Sequence, residues 1–126
     1  MIVGTGIDIV DIPRLRGILG RQGERFTARV FSPGEREYCL AYRDPAPHFA
    51  ARFAAKEALM KALGTGWGNG VSWQDAEVVR ARPHAPVLAL HGRAAALAAS
   101  LGVSAVHLSL THAEGWAAAT VILERA

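Results

Sequence analysis

The longest helical pattern in the sequence lies near its middle, and only shorter segments surround it. Residues 48–63 carry large apolar side chains at helical spacing, and Gly64 follows where such a helix would end. The spaced residues are Phe49, Phe53, Met60 and Leu63. This segment is the clearest helix that the sequence predicts.

The flanking segments mix strands with short helices. Residues 2–12 are β-branched and apolar, which predicts a largely buried strand, and Gly4 and Gly6 permit a bend or a close backbone approach. Ser32 and Glu35 form the start signal of a short helix. The remaining predicted helices lie at 14–19, 24–31, 33–42 and 92–101, and the strands at 76–82, 87–91, 106–112 and 116–124. This mixture predicts an α+β fold rather than a regular βαβ alternation.

The composition is that of one ordinary globular domain. The chain has 126 residues, 51% of them hydrophobic and 20% charged, which excludes a disordered or collagen-like chain. Cys39 is the single cysteine, so neither an internal disulfide nor a cysteine-based zinc site is possible. Residues 1–12 lack a signal peptide's basic start, and no apolar stretch has the length of a membrane helix. We expect a single cytoplasmic domain over residues 1–126, with no membrane partner.

Asp8 is unusual because it stands between Ile7 and Ile9 in the run expected to be buried. A buried carboxylate without a partner is costly, so it should meet a cation, a metal or several N–H donors. Taken alone, Asp8 is more simply explained as a strand-end residue that caps the next helix or pairs with an arginine.

Four charged residues lie on the predicted central helix. Glu57 and Lys61 are four residues apart and share one face, while Arg52 and Lys56 share a flanking face. A Glu followed by a Lys at this spacing is commonly a weak surface ion pair. Together with Asp8, however, two carboxylates and a lysine would suit Mg²⁺ and phosphate, because Mg²⁺ takes one or two carboxylates, waters and phosphate oxygens.

Two further features carry weaker signals. Residues 64–70 are rich in glycine but lack the ending of a Walker loop. Their N–H groups, such as those of Gly64 and Gly66, could bind an anion, and a helix stop followed by a turn explains the glycines equally well. His112 closes a predicted strand, where it could meet a ligand or be an ordinary surface residue. A serine hydrolase or a histidine zinc site is weakly supported, since their motifs are absent.

Basic residues recur near the start of the chain, whose net charge is +3. They lie on two predicted short helices, beside two apolar side chains, and predict a docking surface for an anionic partner. A solvated basic face is the simpler alternative, and no nucleic-acid-binding motif accompanies them. The residues are Arg14, Arg21, Arg25 and Arg29, with Ile18 and Phe26.

Two motifs resemble those of a known family. They are Gly-Ile-Asp-Ile-Val-Asp at residues 6–11 and Arg-Phe-Ala-Ala-Lys-Glu-Ala-Leu-Met-Lys-Ala-Leu-Gly at residues 52–64. With the Leu-Ser-Leu-Thr-His of residues 108–112, the chain resembles the small class of 4′-phosphopantetheinyl transferases, the holo-[acyl-carrier-protein] synthases. It departs from them by a slightly longer segment at residues 23–24, and by Pro-His-Ala-Pro at 83–86 where Gly-Lys-Pro is common.

The resemblance implies a fold and a reaction. The fold would be a small antiparallel sheet with a long packed helix. The enzyme would transfer phosphopantetheine from coenzyme A to a serine of apo acyl carrier protein, release adenosine 3′,5′-bisphosphate and support fatty acid biosynthesis. Asp8 and Glu57 would bind Mg²⁺ and would act in catalysis with Lys61. Coenzyme A would be bound by Arg52, Lys56, Gly64, Gly66 and His112, and the carrier protein by Arg14, Ile18, Arg21, Arg25 and Phe26.

The larger class of these transferases holds two similar halves in one chain, so the resemblance also implies a homotrimer with sites at subunit interfaces. His112 would then serve a neighbouring subunit's site. Two other functions compete with this one. The chain could be a non-enzymatic binding module that uses the basic surface of residues 14–29, or a Mg²⁺-dependent phosphohydrolase that uses the same carboxylates with water as the nucleophile.

Overall fold

The computed structural model describes residues 1–82 and 85–126. The first half holds β1 (Ile2–Asp11), α1 (Ile12–Gln22), α2 (Glu24–Val30), α3 (Pro33–Leu40) and α4 (Ala46–Leu63). After a short 3₁₀ turn (Trp73–Asp75) come β2 (Ala76–Arg82), β3 (Ala85–Leu90), α5 (Gly92–Ser100), β4 (Val103–Ala113) and β5 (Trp116–Arg125). The Pro-His-Ala-Pro segment of residues 83–86, where the sequence departs from the family, lies partly outside the described residues.

Two antiparallel sheets cover the long helix. The larger sheet has the strand order β1-β5-β4, and β2 pairs with β3 in the smaller one. In the larger sheet Asp8 lies opposite Ala119, and Ile7 lies opposite Thr120. The buried residues of β5 alternate strictly along the strand, because only one face of this sheet packs against α4. The predicted α+β fold, a small antiparallel sheet with a long packed helix, is confirmed.

Glycines bring β1 unusually close to α4. A Cβ atom on Gly4 would overlap the carbonyl oxygen of Ala62, and one on Gly6 would overlap that of Ala58. Because glycine has no Cβ, the strand backbone can lie directly on the helix backbone. The predicted close approach is confirmed, and it brings Asp8 next to the last turns of α4.

The central helix is buried on most of its circumference. Its alanines from Ala54 onward, with Leu59 and Met60, pack under the sheets, while Phe49 and the alanines before Ala54 meet α1, α2 and α3. The helix ends at Gly64, which adopts the left-handed conformation with φ 76°. Within the described residues no helix is long and apolar enough to span a bilayer.

Two expectations about the first thirty residues were wrong. The run at 2–12 is not largely buried, since Ile7 and Ile9 are 65% and 62% exposed on the outer face of the sheet. This face carries no covering helix within the described chain. The helix predicted at 14–19 is longer, since α1 runs from Ile12 through Gly20 to Gln22 and stops at Gly23, where φ is 55°.

Candidate active site

Two carboxylates and a lysine meet where β1 crosses α4. Lys61 Nζ lies 3.2 Å from Asp8 Oδ1 and donates to the carbonyl of Ile7 at 2.9 Å. Glu57 lies one turn earlier on the same helix face. The structure therefore brings together the three residues that the sequence singled out, because the glycines of β1 admit the strand to this face of the helix.

The environment of Glu57 disfavours its charged form. Burial is the main cause that raises the pKa of its carboxyl group, and the negative charge of Asp8 raises it further. A hydrogen bond from Trp67 and the charge of Lys61 act in the opposite direction. Two carboxylates close enough to repel each other create a place for a cation.

The pair of carboxylates suits a hard divalent cation that keeps other ligands. Within the described ranges, residues 1–82 and 85–126, no group of three or more His, Cys, Asp or Glu side chains could hold a metal alone. Mg²⁺ does not need such a cage, since it binds through one or two carboxylates with waters and substrate phosphates. Asp8 and Glu57 fit this requirement by the chemistry of their oxygen atoms.

A cavity of about 530 Å³ extends from these carboxylates to the basic helix α1. It is lined on one side by Asp8 and Glu57 and on another by Arg14 and Ile18. Apolar side chains complete it, and they include Ile9, Phe53 and Trp116. A ligand in this cavity would touch the two carboxylates and the predicted docking surface at once.

Trp67 was not among the predicted site residues, nor were the cavity residues Ile9, Phe53 and Trp116. The indole Nε1 of Trp67 donates to Glu57 Oε1 at 3.2 Å. The only signal for Trp67 in the sequence was a large aromatic residue inside a run of glycines, ten positions after the glutamate. That signal does not say where the loop folds back.

Arg52 and His112 both contact His48, and neither lines the cavity. Arg52 is 4% exposed, its guanidinium lies 4.0 Å above the ring of Tyr38, and its Nη1 donates to the carbonyl of His48 at 3.4 Å. Arg52 Nε has no hydrogen-bond partner among the described residues. The exposed His112 meets the His48 ring edge-on at 5.3 Å. Burial is the main cause that lowers the pKa of His48, and the charges of His112 and Arg52 add to it.

Lys56 has a different role from the predicted one. Its side chain is fully buried and its Nζ lies 2.8 Å from Glu35 Oε1, whose side chain is equally buried. The same ammonium donates to the carbonyls of Trp73 and Ala76. Its donors are thus occupied inside the protein, so the prediction that Lys56 binds coenzyme A is corrected to an internal ion pair.

Most of the residues predicted for the basic docking surface are accessible in the structure, and their use by a partner stays a prediction. Arg14, Arg21 and Arg25 are exposed, and the half-buried Ile18 lines the cavity together with Arg14. Phe26 is corrected, because it is 7% exposed and packs against other aromatic rings in the core. Its contacts make it a support for α2 rather than a docking residue.

The exposed glycines Gly64 and Gly66 both have positive φ at the start of the loop, and their use by a ligand stays a prediction.

Comparison with known proteins decides the family. Residues 4–121 match the 4′-phosphopantetheinyl transferase superfamily. The chain belongs to this superfamily. A holo-[acyl-carrier-protein] synthase of Koribacter versatilis (strain Ellin345) is 50% identical over 124 residues, which are 98% of this chain and 99% of the relative. The resemblance of the two motifs is confirmed, and the chain is a transferase of this superfamily.

Two solved structures share the fold of this transferase. A holo-(acyl-carrier-protein) synthase from Bacillus anthracis, in complex with CoA (3′,5′-ADP), has a TM-score of 0.82 and 35% identity, covering 100% of this chain and 99% of that one. The Helicobacter pylori enzyme, in complex with coenzyme A, has a TM-score of 0.84 and 31% identity, covering 95% and 99%.

Proposed function

We propose that this transferase moves the 4′-phosphopantetheine group from coenzyme A to a serine of apo acyl carrier protein, with Mg²⁺, and releases adenosine 3′,5′-bisphosphate. The observation that carries the proposal is the cavity that joins Asp8 and Glu57 to the basic helix α1. The relatives solved with coenzyme A support the donor, and their names support the acceptor. The carrier protein of fatty acid biosynthesis, in the cytoplasm, is the acceptor we assign.

The roles of the residues follow from their charges and places. Mg²⁺ held by Asp8 and Glu57 would neutralise charge on the diphosphate of coenzyme A. Lys61 would stabilise the transferring phosphoryl group, because its ammonium is half exposed beside Asp8. Glu57 would accept the proton of the attacking serine from its position in the cavity wall. Arg52 and His112 would bind the nucleotide phosphates.

One incubation separates this function from its competitors. The chain is mixed with coenzyme A, Mg²⁺ and apo carrier protein, and both the carrier and the nucleotide products are followed by mass spectrometry. A transferase adds the phosphopantetheine mass to the carrier. A phosphohydrolase would split coenzyme A with or without the carrier, and a binding module would change neither.

We also propose that the chain works as a homotrimer that shares its sites between subunits. The outer face of the larger sheet exposes Ile7 and Ile9, an apolar surface that a second copy would cover. Within one chain, moreover, Arg52 and His112 do not line the cavity that holds Asp8 and Glu57. A neighbouring subunit that supplies His112 would bring this histidine to the cavity that holds Asp8 and Glu57.

Mixed assemblies test whether the sites are shared. Co-expression of Glu57→Gln chains with His112→Ala chains should restore about a quarter of the wild-type activity, because one pairing in four joins two intact halves. Light scattering should give the mass of three chains. Activity that stays at the average of the two separate variants, or a fully active monomer, contradicts shared sites.

Charge reversal on the docking surface should act on the carrier protein alone. The double variant Arg21→Glu and Arg25→Glu changes two exposed residues that do not line the cavity. We expect the KM for the acidic carrier to rise about tenfold or more at low salt, and its salt dependence to flatten, because long-range attraction is lost. The KM for coenzyme A should stay within about twofold.

A control variant changes the net charge equally elsewhere. Arg43→Glu with Arg125→Glu replaces two exposed arginines outside α1 and α2. If this control raises the carrier KM as much as the first pair does, the effect is one of total charge and the docking surface is misplaced.

A further inference from the structure

The loop after α4 places an indole N–H against the carboxylate of Glu57. Trp67 Nε1 donates to Glu57 Oε1 at 3.2 Å. The chain turns back sharply because Gly64 and Gly66 adopt positive φ, and Asn69 does so as well. A bond to one oxygen restricts rotation of the carboxylate and leaves Oε2 outside that bond.

The indole of Trp67 also packs against other aromatic rings. Its ring lies 3.8 Å from the ring of Trp73, which stacks on Phe53 at 5.1 Å. The carbonyl of Trp73 accepts from Lys56 Nζ at 3.1 Å, and Lys56 pairs with the buried Glu35. The indole therefore cannot swing away from the carboxylate without disturbing a stack anchored on an internal ion pair.

We infer that Trp67 is a positioning residue that orients the carboxylate of Glu57 for a divalent cation. The inference rests on the proposed function, which makes Glu57 a metal ligand. Groups that hydrogen-bond to metal ligands orient them, and losing such a group typically weakens metal binding by about 10- to 100-fold. Trp67 acts through Glu57 in this scheme, and it touches no reacting atom.

The variant Trp67→Phe isolates the hydrogen bond, because it keeps an aromatic ring for the stack with Trp73 and removes the N–H. We expect the dissociation constant for Mg²⁺ alone, measured by calorimetry, to rise about 10- to 100-fold. The Mg²⁺ concentration for half-maximal transfer should rise in parallel, and kcat should largely recover at saturating Mg²⁺. A merely structural role would instead lower the melting temperature and leave the Mg²⁺ midpoint unchanged.

Tryptophan fluorescence tests the role of Trp67 without an activity assay. The chain has three tryptophans, so Trp73→Phe with Trp116→Phe leaves Trp67 as the single emitter. Titration with Mg²⁺ should shift or quench its emission, and Glu57→Gln in the same background should remove the response. An emission that ignores Mg²⁺, together with an unchanged dissociation constant in Trp67→Phe, overturns the positioning role.

The metal site itself is tested by Asp8→Asn. Its outcome distinguishes a wrong role for Trp67 from a wrong metal site. If Asp8→Asn loses Mg²⁺ binding and Trp67→Phe does not, only the positioning role of Trp67 is overturned. If Asp8→Asn binds Mg²⁺ like the wild type, the proposed metal site is wrong, and the inference about Trp67 falls with it.

Discussion

Replacing Asp8 with Asn, or Glu57 with Gln, is expected to lower phosphopantetheine transfer by about 10³-fold or more. Each change removes one of two negative charges while keeping the size of the side chain. A metal that neutralises a reacting diphosphate contributes several kcal/mol to the transition state, and each loss of about 1.4 kcal/mol is tenfold in rate. The rate is measured at saturating coenzyme A and carrier, over a range of Mg²⁺ concentrations.

The matched control is Glu37→Gln, which removes an exposed carboxylate on α3, outside the cavity lining. It should keep near wild-type turnover, and all three variants should melt within a few degrees of the wild type. Near wild-type turnover by Asp8→Asn and Glu57→Gln in Mg²⁺ would show that the catalytic site has been placed on the wrong residues.

The central helix and the common face of Glu57 and Lys61 could be predicted because they depend on local spacing. Helical periodicity places Glu57 and Lys61 on one face, and the glycines at positions 4 and 6 signal a strand that lies close to another backbone. Asp8 was singled out on a wrong premise, since its isoleucine neighbours are exposed. Alternation along β1 turns Asp8 toward α4 because only one face of the sheet is covered.

The burial of Lys56 in an ion pair with Glu35 could not be predicted, because it depends on a contact between distant segments. Periodicity correctly gave Lys56 and Arg52 a common face, but it does not say that α3 and the start of β2 bury that face. Glu35 looked like a capping residue, and it is one, since its Oε1 accepts from the N–H of Ser32 at 2.9 Å. Nothing in the sequence shows that the same carboxylate also meets Lys56.

This buried pair leads to the largest expected effect on stability. Lys56→Met should lower the free energy of unfolding by about 3–5 kcal/mol, because it leaves the Glu35 carboxylate buried without its counterion. For a chain of this size that loss lowers the melting temperature by roughly 10–20 °C. Unfolding is followed by circular dichroism with heat and with urea. The loop that carries Trp67 should loosen too, since Lys56 Nζ donates to the carbonyl of Trp73.

Two comparisons show whether the orphaned charge, rather than lost packing, is the cause. Lys61→Met makes the same substitution five residues later on α4, where the lysine is 55% exposed, and should cost about 1 kcal/mol or less. Adding Glu35→Gln to Lys56→Met removes the charge but keeps an amide oxygen. It can accept from one of the two N–H groups, those of Ser32 and Val78, that now bind separate oxygens of Glu35. The double variant should therefore be more stable than Lys56→Met alone. The single variant Glu35→Gln is measured as well. If the loss of stability in the double variant equals the sum of the losses in Lys56→Met and Glu35→Gln, the ion pair is not what stabilises this part of the core.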